Sequence, residues 1–138
     1  MRIAVDFDGT IVEHRYPEIG KEIPFAVATL KQLIRKGHLL ILWSVREGEL
    51  LDEAVEWCRA KGIEFYAVNS DYPDEDETLS KKISRKLKVD LFIDDRNVGG
   101  LPDWGVIYEM INSNKTYEQV LREMINAPKP EKKPWWKF

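Results

Sequence analysis

"RIAVDFDGT", residues 2–10, places a short apolar run directly before two acidic residues and a Gly-Thr turn. An apolar run of this length predicts a buried strand, which would end where Asp6 and Asp8 begin. Two carboxylates that leave a core so close together repel each other, and burial disfavours the ionised form of each. The stretch therefore predicts a first strand whose carboxyl end needs something that offsets this electrostatic cost.

The rest of the chain alternates short apolar runs with longer amphipathic segments. Four further runs predict strands: "HLLILWS" at 38–44, "IEFYAVN" at 63–69, "VDLFIDD" at 89–95 and "WGVIYEMI" at 104–111. Predicted helices cover "PFAVATLKQLIRKG" at 24–37, "GELLDEAVEWCRAKG" at 48–62, a short segment at 80–87, and "TYEQVLREMI" at 116–125 with Thr116 and Gln119 in capping-box spacing. This alternation predicts an α/β fold, a three-layer Rossmann-like parallel sheet with helices on both faces.

Length and composition limit what the chain can be. Its 138 residues suit one catalytic domain, assigned to 1–127, followed by a basic, tryptophan-containing tail at 128–138. The net charge is −3; the tail carries four lysines and one glutamate, hence +3, and the remainder is −6. An acidic body argues against broad nucleic-acid binding.

Several features point to a cytoplasmic protein. The apolar runs are too short to span a bilayer, and the chain enters a strand at once, so we expect neither membrane insertion nor a signal peptide. The single cysteine, Cys58, excludes an intrachain disulfide and is expected to face the core. Homo-oligomerisation is left open by the sequence.

Polar residues end several of the predicted strands, and the carboxyl ends of parallel strands meet at one edge of the sheet. This edge would collect Asp6, Asp8, Ser44, Asp94 and Asp95, with Lys86 supplied by the short helix before the fourth strand. Four carboxylates form a natural oxygen cage for a hard divalent cation. We therefore predict a Mg²⁺ site whose ligands are Asp6, Asp8, Asp94 and Asp95.

Such a group of residues suits phosphoryl transfer. An aspartate can attack phosphorus and form an aspartyl phosphate, and a second acid can protonate the leaving oxygen and then activate water. Ser44 would bond a nonbridging phosphoryl oxygen, and Lys86 would balance its charge.

These motifs together resemble the haloacid dehalogenase superfamily of phosphohydrolases. "DFDGT" at 6–10, Ser44 at the end of a hydrophobic strand, a following lysine and "FIDD" at 92–95 appear in that family's order and cover roughly residues 2–100. The resemblance implies magnesium, Asp6 as the nucleophile and Asp8 as the general acid/base. It also implies that Asp94 and Asp95 bind the metal, with the main-chain carbonyl of Asp8.

The family's lysine and its cap domain need separate comment. Of Lys81, Lys82, Lys86 and Lys88, the spacing in compact relatives favours Lys86, with Lys82 second. Only 33 residues separate Thr10 from Ser44, and seven separate Lys86 from Asp94, so neither gap holds a cap domain. The chain resembles a capless member with an open site.

Residues in the loops at this edge are candidates for substrate binding. We assign Gly9, Thr10, His14 and Arg46 to this role. Arg46 is included because a guanidinium group binds phosphate through two hydrogen bonds. The alternative for Arg46 is an ion pair with the 47–49 region. The acidic stretch 71–77 is expected to be a solvated loop, and Trp43 and Trp57 are expected in the core.

The function expected from these residues is a magnesium-dependent phosphatase that hydrolyses a small phosphomonoester through an aspartyl phosphate. One alternative is a phosphoacceptor module of the response-regulator type. In that class, however, an acidic pair closes the first strand and the phosphorylated aspartate ends a later one, the reverse of the order here. Another alternative is a non-catalytic phosphate-binding relative, although every motif acid is present.

Overall fold

A computed structural model describes residues 1–73 and 87–126 of the chain. Its strands are β1 (Arg2–Val5), β2 (Leu39–Leu42), β3 (Ala67–Val68) and β4 (Leu91–Ile93). Its helices are α1 (Ala26–Arg35), α2 (Gly48–Ala60), α3 (Trp104–Asn112) and α4 (Tyr117–Asn126). The alternation confirms the predicted α/β class, although only two residues of the third predicted strand pair with the sheet.

The four strands form one parallel sheet in the order β3-β2-β1-β4. The interior strands β1 and β2 are apolar on both faces, and Val5 lies in register with Leu42 and with Ile93. Continuous apolar character of this kind is typical of parallel strands that are covered on both sides. The fold is therefore a three-layer, Rossmann-like α/β arrangement.

The strand order fixes where a ligand can bind. From β1 the chain proceeds through β2 and β3 toward one edge, whereas β4 lies on the opposite side of β1. In such sheets the crevice opens beyond the carboxyl ends of the two strands at which the direction reverses. Here those strands are β1 and β4, which end at Asp6 and Asp94.

The first two helices bury one stripe each and end near glycines, as predicted. Helix α1 buries Leu30 and Leu33, and the chain after it turns through Gly37 at a φ of +90°. Helix α2 is followed by Gly62 at a φ of +85° and buries Cys58. Burial raises the pKa of the Cys58 thiol to about 12, so this cysteine behaves as a core side chain.

The chain divides into two compact units, residues 1–104 and a second unit that begins at Gly105. The fifth predicted strand is wrong: residues 104–112 form α3 instead. Trp104, Ile107 and Ile111 are buried at spacings of three and four residues, which places them on one face of a helix, whereas residues three apart lie on opposite faces of a strand. The predicted capping box of α4 is confirmed, because the Thr116 N–H bonds Gln119 Oε1 at 2.8 Å and the Gln119 N–H bonds Thr116 Oγ1 at 3.2 Å.

Some predictions lie wholly or partly outside the described residues. They concern the helix at 80–87, Lys81, Lys82 and Lys86, the acidic stretch after Pro73, and the tail at 128–138 with its domain boundary. Within the described part of the chain, no helix combines the length and the apolar character needed to cross a bilayer.

Candidate active site

Three carboxylates meet beyond the carboxyl ends of β1 and β4. The Asp6 N–H donates to the carbonyl of Ile93 at 3.0 Å, which extends the pairing of the two strands by one residue. Asp6 therefore lies beside the start of the loop that carries Asp94 and Asp95. One carboxylate oxygen from each of these three residues lies within 4.8 Å of the other two.

Gly9 makes room for the third carboxylate. Its φ is +81°, and a β-carbon added there would lie 2.3 Å from Oδ2 of Asp95. A side chain at this position would be strained in its backbone and would displace Asp95. The structure thus gives Gly9 a steric reason to be glycine, whereas sequence analysis assigned it to substrate binding.

Thr10 ties the loop after β1 to the loop after β4. Its Oγ1 accepts the N–H of Asp95 at 3.1 Å and lies 3.4 Å from Oδ2 of Asp6 and from Oδ1 of Asp95. The Trp104 indole N–H donates to the Thr10 carbonyl at 3.0 Å. Because Thr10 is completely buried, its predicted contact with substrate does not fit this structure. Its hydroxyl orients two of the carboxylates.

Asp94 also shapes its own loop. Its Oδ1 accepts the N–H of Arg96 at 2.9 Å, and its carbonyl accepts the side-chain amide of Asn97 at 2.6 Å. These bonds close a tight turn directly after β4, which keeps the Asp94 side chain at the sheet edge.

The three carboxylates create a local excess of negative charge. Burial, assisted by repulsion from Asp94 and Asp95, raises the pKa of Asp6 to about 7. No described residue forms a salt bridge with any of the three. In the described part of the chain, this cluster therefore lacks the cation that would balance it.

The donor set fits a magnesium ion. Mg²⁺ is a hard cation that prefers oxygen ligands, carboxylates among them. Each of the three residues offers one carboxylate oxygen, and the three oxygens lie within 4.8 Å of one another. Asp6, Asp94 and Asp95 are the residues that could hold the ion.

The carboxylate of Asp8, the fourth predicted metal ligand, is bonded to Arg46 and is not one of the three that converge. Arg46 donates two hydrogen bonds to this carboxylate, from Nε to Oδ2 at 2.7 Å and from Nη2 to Oδ1 at 2.8 Å. Both side chains are buried, with exposed fractions of 0% for Arg46 and 8% for Asp8. The Asp8 side chain is therefore neutralised inside the protein and does not belong to the cluster of three.

The predicted substrate role of Arg46 does not fit its surroundings. Besides Asp8, its guanidinium donates to the carbonyls of Pro17, Glu18 and Leu50, at 3.1, 2.9 and 3.4 Å. These bonds occupy all five N–H donors of the side chain. The alternative partner, the 47–49 region, does not bind Arg46 either. Sequence analysis missed the Asp8 pair, for which the only signal was a lone arginine at an acidic sheet edge.

Ser44 lies at the same edge, two residues after β2. Its N–H donates to Asn69 Oδ1 at 2.7 Å, and its Oγ accepts the N–H of Arg46 at 3.1 Å. Its hydroxyl hydrogen finds no acceptor among the residues that the structure describes. Asn69, which positions Ser44, was also missed, although it is the polar residue that ends the third predicted strand.

The remaining predictions have mixed outcomes. His14 is exposed in the loop after β1. Trp57 is half-buried with an edge-to-face contact to Phe7, and Trp43 is half-buried against the core. Asp71 corrects the prediction of a solvated loop: it is 1% exposed, and its Oδ1 accepts the N–H of Lys88 at 2.7 Å.

Comparison with known proteins finds a relative of known structure. No protein-family model matches the chain, and no curated protein matches it. A solved structure of a conserved protein from Bacteroides thetaiotaomicron matches with 72% sequence identity and a TM-score of 0.80. The match covers 87% of this chain and 96% of that one.

Proposed function

The chain belongs to the same family as the conserved Bacteroides thetaiotaomicron protein, and we propose that it is a magnesium-dependent phosphatase acting on phosphomonoesters. One observation carries this proposal: the carboxylates of Asp6, Asp94 and Asp95 converge within 4.8 Å at the point where the strand order reverses. The resemblance of the motifs to haloacid dehalogenase phosphohydrolases supports the same activity.

Asp6 is the proposed nucleophile. One of its carboxylate oxygens attacks phosphorus while the bond from phosphorus to the ester oxygen breaks, and that oxygen takes a proton from Asp8. Asp8 then accepts a proton from water, whose oxygen attacks phosphorus and breaks its bond to Asp6. Inorganic phosphate leaves, and both acids return to their starting forms.

The remaining groups bind the phosphoryl group and hold it in place. Magnesium, when bound, supplies positive charge that neutralises the cluster and polarises the phosphoryl group. Ser44 donates its hydroxyl hydrogen to a nonbridging phosphoryl oxygen in this proposal, and Asn69 fixes the backbone from which Ser44 projects. Lys86 is proposed to balance phosphoryl charge, with Lys82 as the second choice.

The proposed setting follows from the same observations. We expect a small phosphoester substrate and an open site, since the sequence intervals between the motifs are too short for a cap domain. We also expect a cytoplasmic location, because the single cysteine is free and buried, which fits a reducing compartment.

The experiment compares wild type, Asp6→Asn and a control, Asp52→Asn, which makes the same change at an exposed position of α2. Each protein is assayed with Mg²⁺ against a panel of phosphorylated metabolites. We expect Asp6→Asn to reduce kcat/KM by at least ~10⁴-fold and the control to change it less than about twofold.

Rapid quenching followed by borohydride reduction detects the intermediate, because an acyl phosphate at residue 6 is converted to homoserine. Reduction at residue 6 during turnover supports the proposal. An acyl phosphate that persists for minutes without releasing phosphate would instead support a phosphoacceptor module. Activity that survives Asp6→Asn would refute Asp6 as the nucleophile.

A further inference from the structure

We propose that Arg46 is a positioning residue, which fixes the Asp8 carboxyl group for proton transfer to the leaving oxygen. This inference rests on the proposed phosphatase activity and adds to it a residue that no sequence motif marks for this role. The observation behind it is the buried, two-bond contact between the two side chains.

The geometry of the contact restricts Asp8 strongly. A guanidinium is planar and rigid, so two parallel N–H···O bonds fix both the position and the rotation of the carboxyl plane. The bonds of 2.7 and 2.8 Å use one acceptor site on each oxygen of Asp8. A carboxylate offers about four such sites, so a proton can occupy one of the others while the fork stays in place.

Arg46 is itself held from several sides. Its guanidinium carbon lies 5.3 Å from the centre of the Phe7 ring and 5.2 Å from that of Tyr16. Carbonyls of Pro17 and Glu18, in the loop after β1, accept two further bonds, and that of Leu50 in α2 accepts another. The arginine thus joins Asp8 to a later part of the same loop and to α2.

This arrangement suits positioning better than substrate binding or simple stabilisation. Every donor of Arg46 is used within the protein, which leaves none for a phosphate. A buried ion pair is weak evidence for a gain in stability, because desolvation offsets most of its attraction. What the pair does provide is a defined orientation of the acid two residues from the proposed nucleophile.

The test uses two substrates of similar size, 4-nitrophenyl phosphate and phenyl phosphate, with Mg²⁺. The nitrophenolate leaves readily without protonation, whereas phenolate is a stronger base and depends more on the acid. We compare wild type, Arg46→Lys, Asp8→Asn and the double variant. Lysine keeps the charge of Arg46 but not its fork.

The measured quantity is kcat/KM for the nitrophenyl ester divided by that for the phenyl ester. This ratio does not depend on the amount of folded protein, so partial unfolding of a variant leaves it unchanged. We expect the ratio to rise about 10- to 100-fold in Arg46→Lys and in Asp8→Asn, with KM within about threefold of wild type. The double variant should show no further rise beyond Asp8→Asn, because both changes remove one function.

Arg59→Lys is the matched control, since Arg59 pairs with Glu56 on the exposed surface of α2. Its ratio should stay at the wild-type value. An unchanged ratio in Arg46→Lys, or a tenfold higher KM with unchanged kcat, would overturn the inference while the phosphatase proposal stands. A wild type that hydrolyses neither ester nor any metabolite of the panel would overturn both.

Discussion

Asp6 and Asp8 are separated by one residue, yet the protein treats their charges in opposite ways. Asp6 faces Asp94 and Asp95, and its pKa is raised to about 7 by burial and repulsion. Asp8 is buried against Arg46, which cancels its charge inside the chain. The first group has no cationic partner among the described residues, whereas Asp8 has Arg46. The comparison shows how neighbouring acids acquire different chemistry from the direction in which each side chain points.

The largest expected effect on stability comes from removing the internal cation. Arg46→Ala leaves the Asp8 carboxylate buried without its partner, so we expect a loss of about 3–5 kcal/mol in the free energy of unfolding. Urea denaturation measures it. Arg59→Ala, at an exposed pair on α2, should cost less than about 0.5 kcal/mol. Equal losses of unfolding free energy in the two variants would show that the buried pair contributes no more than the exposed one.

Adding Mg²⁺ should stabilise the group formed by Asp6, Asp94 and Asp95 if it binds there. At a Mg²⁺ concentration a hundred times its dissociation constant, linkage predicts a gain of about 2.7 kcal/mol. Thermal unfolding with and without Mg²⁺ measures this gain, with Asp95→Asn as the variant that should respond less. A melting temperature that does not change with millimolar Mg²⁺ would count against a metal site formed by these three carboxylates.

The pH dependence should distinguish the two acids without metal. The pKa of Asp6 in the folded protein, about 7, lies above the unfolded value of about 3.9, so the folded state binds the extra proton. Stability from this group is fully present below pH ~4 and is lost as pH rises through ~7.

In EDTA we expect a loss of on the order of 2 kcal/mol across this range, after allowance for the partial exposure of Asp6. Asp6→Asn should lack that component. Parallel stability profiles for wild type and Asp6→Asn, measured by urea denaturation from pH 4 to 8, would show that Asp6 does not titrate in this window.

The smallest expected effect concerns the link between the two loops. Thr10→Val keeps the shape of the side chain but removes the acceptor of the Asp95 N–H, which should cost about 1–2 kcal/mol. It should also weaken the stabilisation by Mg²⁺, since Asp95 loses one of its restraints. Titration calorimetry with Mg²⁺ measures the second effect, and an unchanged affinity would limit Thr10 to a structural role.

Much of the fold could be predicted because its signals are local. Short apolar runs specified the four strands of the sheet, and the polar residues that end β1 and β4 were placed at the correct edge. The error at 104–111 has a physical cause, since this apolar segment fits either period and its buried residues follow the helical one. Apolar composition alone does not distinguish the two periods.

The sequence allowed us to predict which acidic residues come together, but not the orientation of every side chain. Spacing along the chain brought Asp6, Asp94 and Asp95 to one edge, and the structure brings their oxygens together. Spacing along the chain could not predict the bond between Asp8 and Arg46, because these residues are 38 positions apart and the bond depends on side-chain orientation. The same reason hid the bond between Ser44 and Asn69.

The buried indole of Trp104 can report on the cluster formed by Asp6, Asp94 and Asp95. Its N–H bonds the Thr10 carbonyl, and the hydroxyl of that same residue receives the Asp95 amide. Any shift of the loop on ion or phosphate binding therefore reaches an indole proton whose NMR resonance lies apart from the backbone amides. Occupancy of the cluster can be followed through that one signal, without a substrate and without turnover.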